Sequence, residues 1–158
     1  HQEHNADNTH KIIHASGAIF ERGRTVTALG DPIDVPFRPS HFTGFTTMTW
    51  TVEASDIRTW AYTLIGSTMT VWFDIRTTSI AGTPTAAVQI EIPDGWFAAL
   101  STVNQCRVLD NAVPVTGYVQ STRESNLLLI FREDAAVWTA SANATQVRGQ
   151  ITFPVRTA

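Results

Sequence analysis

Four of the five histidines lie in the opening stretch "HQEHNADNTHKIIH". His10 and His14 are four apart, so on a helix they share one face, with His1 and His4 upstream as further imidazole ligands for a transition metal. In a trimer, one histidine per chain near the axis would give a metal three nitrogens. The same residues also read as a flexible polar terminus, which needs no metal. A nucleophilic set can be drawn through Ser40, His41 and Asp34, but closeness in sequence is not triad geometry, and the proline-rich segment around them lacks a rigid scaffold. Cys106 sits beside Arg107, a cation able to lower a thiol pKa; a small packed strand residue is the competing reading. Trp96 in "PDGW", Tyr118 and Trp138 are aromatics on which the C–H face of a sugar stacks, or alternatively plugs beneath loops. No nucleophile elbow, phosphate loop, HExxH or paired-cysteine motif occurs. No catalytic residue is therefore assigned, the protein is expected not to be an enzyme, and no cofactor is implied.

The elements that must position these groups are strands. "TMTWTVE" alternates Met48, Trp50 and Val52 against Thr47, Thr49 and Thr51, and "STMTVWFDIRTTS" alternates Met69, Val71, Phe73 and Ile75 against Thr70, Trp72, Asp74 and Arg76. "IRTWAYTLI" carries bulk on both faces and should be covered on both. Further strands are expected at 101–109, 114–121, 126–132 and 146–155, and "LLLIF" fits a central strand buried on both sides. No helix of ordinary length follows residue 20. Strands at intervals of roughly ten residues, with turn signals between them, predict an all-β antiparallel sandwich or jelly roll. Residues 1–44 read differently: a short helix capped by Asn8 and ended by Gly17, then an extended strap holding Pro32, Pro36 and Pro39. This gives an N-terminal arm and strap (1–44), for attachment and trimer contacts, and a β-sandwich domain (45–158).

Composition narrows the partners. Charged residues are 16% of the chain, below the quarter typical of globular domains, so Thr, Ser, Asn and Gln must supply much of the surface. Lys11 is the only lysine, and arginine, which forks and is weakly hydrated, suits interfacial pairing. A net charge of -3 offers no basic stripe, so nucleic acid is excluded as a partner. No apolar run approaches the ~20 residues of a spanning helix, and no membrane partner is expected. One cysteine excludes an internal disulfide framework.

Trp72 lies on the nominally wet, threonine-lined face. Full burial of such a side chain recovers on the order of 2 kcal/mol. A neighbouring subunit is one cover, with Trp60 or Tyr62 contributing and Asp74 and Arg76 pairing at the rim; the chain's own strap is the other. Ile12, Ile13 and Phe20 are too few for a core and too many for a solvated tail, and they join the contact candidates.

The run "GAIFERGRTVTALGD", the stretch "MTWTVEASDIRTWAYTLIGSTMTVWFDIRTTSIAGTP", then "IEIPDGW" and the closing "VRGQITFPV" resemble virion structural proteins of tailed bacteriophages and prophages. In these a C-terminal β-domain of tail-fibre, receptor-binding or decoration type ends in a "GQI-F-V" strand. Its plan is similar to the C1q and tumour-necrosis-factor jelly rolls. The resemblance implies a non-enzymatic homotrimer located in the virion, with itself and other virion proteins as partners and a host-surface glycan as a further one. A bacterial extracellular β-domain, either a carbohydrate-binding module or a filament subunit, is the alternative expectation.

Overall fold

In a computed structural model of the protein, residues 31–158 are described, together with the backbone of four short strands before them. Those strands, β1 (Gln2–His4), β2 (His10–Ile13), β3 (Ile19–Glu21) and β4 (Arg24–Val26), pair antiparallel in chain order. Their register sets His4 opposite His10 and Ile12 opposite Phe20. A strand thus stands at residues 10–13, where a short helix was expected. Two adjacent β-branched isoleucines favour the extended chain, and a helix that short has no independent stability. With the helix goes the argument that His10 shares a face with His14. Asn8, His14 and Gly17 lie outside the described residues. This unit, His1–Ile33, and a second, Asp34–Ala158, are each compact.

The second unit is all-β. Its strands are β5 (Ile33–Asp34), β6 (Phe42–Gly44), β7 (Met48–Thr51), β8 (Ile57–Ile65), β9 (Thr68–Gly82), β10 (Ala87–Glu91), β11 (Phe97–Ala98), β12 (Thr102–Asp110), β13 (Val113–Ser121), β14 (Leu127–Arg132) and β15 (Ser141–Arg156). They form an antiparallel sheet in the order β5-β8-β9-β15-β12-β13-β14-β10-β6, with β7 on β9 and β11 on β15. The chain leaving edge strand β6 turns at once into β7, which pairs with β9 far along the path. The sheet therefore curls over its own apolar face, giving the sandwich that the alternating strands predict.

Strand β9 shows how the pattern works. Met69, Val71, Phe73 and Ile75 are at most 1% exposed, and each side chain so buried contributes about 1.5–3 kcal/mol. At Thr77 the backbone enters the left-handed region (φ 58), and β9 passes from β8, paired up to Ile75, to β7, paired from Ser79. The Thr77 hydroxyl donates to Asp56 Oδ1 at 2.8 Å, anchoring the kink. A positive φ costs a non-glycine residue about 1–2 kcal/mol, so the kink relies on the pairing on either side of it.

On β8, Trp60, Ala61, Tyr62 and Thr63 are all buried, as bulk on both faces requires. On β14, Leu128 and Ile130 are sealed, but Leu127, Leu129 and Phe131 on the opposite side are only half-buried. The strand is central, yet one face is left partly open where burial on both was expected. Part of the strap belongs to the sandwich. Val35 N–H donates to Trp60 O at 2.9 Å, Phe37 stacks on Phe42 at 6.0 Å, and β6 lies within the segment first read as arm.

Candidate functional site

Strands β12 and β15 pair over three positions only, Arg107–Leu109 against Gln146–Arg148. Past the Arg107/Arg148 pair they part, because β15 continues along β9 while β12 stays with β13. Asn104 Nδ2 spans the gap to the Gln150 carbonyl at 2.8 Å, standing in for a lost ladder bond. Gly149 lies beside the split, where an added Cβ would come within 2.7 Å of Cys106 Cβ, so the strands can approach this closely only with glycine there. A concavity of about 860 Å³ opens at the fork, with Trp72, Gln105, Arg107, Thr116, Arg148 and Gln150 on its walls.

Trp72 stands between Ala61 of β8 and Gln150 of β15. Its indole N–H donates to Gln150 Oε1 at 2.7 Å, which satisfies the polar edge and leaves the ring half-buried on the concave side. The neighbouring threonines pair in the same way, Thr70 with Thr152 through hydroxyls 2.8 Å apart. The face is thus lined by short neutral groups around one large ring.

Charge at the fork is unbalanced. Asp74 is buried and engaged by both arms of Arg76, with Nε donating to Oδ1 at 2.9 Å and Nη2 to Oδ2 at 2.7 Å. Hydrogen bonding from Arg76 holds the Asp74 carboxyl below its ordinary range; burial opposes this, and the fields of Arg76, Arg148 and Arg58 assist it. Arg148 Nε is 3.8 Å from Asp74 Oδ2, beyond hydrogen-bond reach, and its side chain is 57% exposed. Arg107, directly across from Arg148, makes no ion pair or hydrogen bond with any described residue. Like charges directly opposite on a sheet are unfavourable.

The sequence-derived candidates scatter. Asp74 and Arg76 pair as expected, and with Trp72 they lie on the concave side. Trp60 and Tyr62 occupy the other side of the sheet, 3% and 4% exposed, so they are core and cannot join Trp72 in a contact. The register on β9 decides this, setting Trp60 opposite Phe73 and Tyr62 opposite Val71 while Ala61 faces Trp72, and it is not visible in spacing. The described part of the strap packs on Trp60, with the Phe42 ring 5.7 Å away. The Tyr62 hydroxyl donates to Asp94 of the "PDGW" turn. Trp138 is 1% exposed, which makes it a plug and removes it as a ligand platform. Trp96 and Tyr118 are half-buried, Tyr118 stacking on Phe131 at 5.1 Å. The side chains of Ile12, Ile13, Phe20 and His10 lie outside the described residues.

Cys106 is buried, and desolvation pushes its thiol up to about 12, so Arg107 does not activate it. No hydrogen bond joins Ser40, His41 and Asp34, and among the described residues no cluster of His, Cys, Asp or Glu is arranged to hold a metal.

A buried ionic latch was missed by the sequence reading. Asp110, 3% exposed, accepts from Arg132 Nη1 at 2.5 Å, from Thr139 N at 3.0 Å and from Thr139 Oγ1 at 2.9 Å. Arg132 also binds Asp134, closing the 133–140 loop over Trp138. Arg107, Arg148, Asn104 and Gln150 were missed as well, since only the pairing of β12 with β15 brings them together. No protein-family model matches the chain, and neither a curated protein nor a solved structure is similar to it.

Proposed function

We propose that the protein is a non-catalytic structural component of a tailed-phage virion, a homotrimer that serves particle assembly or decoration, or attachment to the host surface. The observation that supports self-association is the outward side of β13 and β14. Tyr118 lies opposite Phe131, and Gln120 opposite Leu129; the aromatic pair and Leu127 and Leu129 are half-buried in one apolar strip. Beyond Gln120 stands Val103, 59% exposed. Covering apolar surface contributes about 1 kcal/mol for each ~40 Å², so a strip of this kind favours a copy of the chain over water. The low charge content and single lysine leave little to hold copies apart.

Leu129→Asp tests this reading. The side chain is on the open face, so the fold survives while a contact made there is lost, and sedimentation velocity should show the variant as single chains where the parent is associated. An unchanged oligomer would reject the strip as the contact. A second reading, an extracellular carbohydrate-binding module, is favoured by the fork, whose indole and amides suit a saccharide.

A further inference from the structure

We infer that the fork between β12 and β15 is a binding site for an acidic saccharide, its carboxylate held by Arg107 and Arg148 and a sugar ring set against Trp72. The inference deepens the attachment part of the reading above and is independent of self-association.

Three observations carry it. First, two arginines, Arg107 and Arg148, stand directly opposite each other on adjacent strands at the fork. Among the described residues Arg107 makes no hydrogen bond or ion pair, Arg148 comes only within 3.8 Å of Asp74, and that carboxylate is already held bidentately by Arg76. Like charges opposite each other on a sheet are unfavourable, an anion bound between them would offset this, and a planar carboxylate matches the guanidinium fork. The next acidic residue along that row, Glu133, follows β14, whose neighbour β13 separates it from β12, and it forms no ion pair with Arg107.

Second, the indole of Trp72 has its N–H consumed by Gln150. What remains on the concave side is ring, the surface on which sugar C–H groups pack. Gln150 accepts through Oε1 and keeps its amide N–H groups for a hydroxyl acceptor, and Gln105 adds a second amide.

Third, the site is a concavity of about 860 Å³, within the size range of small-ligand clefts. An acidic side chain from another copy would satisfy the arginines but would leave the ring and amides unused. The combination of cation, ring and amide is therefore met more fully by a saccharide.

The probe is an oligogalacturonate hexamer, with its fully methyl-esterified form as the neutral match, titrated calorimetrically into the 158-residue chain at low and at moderate salt. The acid should bind, and the ester about tenfold or more weaker, as loss of charge-assisted bonds requires. Arg107→Gln and Arg148→Gln should each weaken the acid by about tenfold and flatten its salt dependence. Trp72→Ala should weaken the acid and the ester alike. Both arginines are exposed, so the unfolding midpoints of the two arginine variants should not fall. Equal binding of acid and ester, undiminished binding by the double arginine variant, or no binding by a folded parent protein would each overturn the assignment. So would a fall in oligomer mass in the arginine variants without any saccharide binding, which would give the pair to a contact between copies. The same mass record shows separately whether the parent associates.

Discussion

Replacing Arg132 with Leu is expected to destabilise the sandwich by about 3 kcal/mol, at the lower end of what breaking a buried ion pair costs. The figure follows from what stays behind. Asp110 has only 1% of its side chain exposed, against 15% for Arg132, so its carboxylate cannot recover water when the guanidinium is removed. It keeps the Thr139 amide and hydroxyl as donors, which holds the cost below the upper end of the range. In urea, with a slope of about 1–2 kcal/mol/M for a domain of this size, the midpoint should fall by roughly 1.5–3 M. The double variant Asp110→Asn, Arg132→Leu should recover a large part of the loss, because the stranded charge is gone. Hydrogen exchange at Thr139 should accelerate in the single variant. A loss below about 1 kcal/mol, or strictly additive effects in the cycle, would refute the reasoning that this latch is desolvated and holds the 133–140 loop.

The Asp74 carboxyl is held below its ordinary range by Arg76. Its contribution is complete above the unfolded carboxylate pKa of about 4 and is lost as pH falls through the depressed native value; Asp74→Asn should flatten that part of the acid limb in a melting series from pH 7 to pH 2. Cys106, its thiol raised to about 12 by burial, should resist an aromatic disulfide reagent at pH 8 in the folded protein and react promptly in denaturant. Ala112 has φ 63 in the two-residue turn between β12 and β13, so Ala112→Gly should stabilise by about 0.5–1 kcal/mol, read as a higher unfolding midpoint.

The strands were legible wherever one face alone is buried. In β9 the alternation of Met69, Val71, Phe73 and Ile75 with Thr70 and Trp72 is a direct imprint of the pleat. Legibility failed where the pleat is broken or where both faces carry bulk. The first part of β15 is interrupted by shifts of register around Thr145, so "SANATQ" shows no period and reads as loop. Trp60 and Tyr62 alternate with Ala61 and Thr63, all buried, and spacing cannot say which pair looks inward. At residues 10–13 a capping residue and a later glycine suggested helix, while the paired isoleucines form strand. The fork escaped for a different reason. Arg107 and Arg148 are separated by some forty residues, and only the register of β12 on β15 makes them neighbours. The Asp74–Arg76 pair, two residues apart on one strand face, was readable because its contact is local.

The central claim is that the outward strip of β13 and β14 is a contact surface for copies of the chain. Sedimentation equilibrium of the 158-residue chain measures it directly. The account predicts a mass three times the 17.4 kDa of one chain; a single species at the mass of one chain, over the whole range of attainable concentrations, would contradict it.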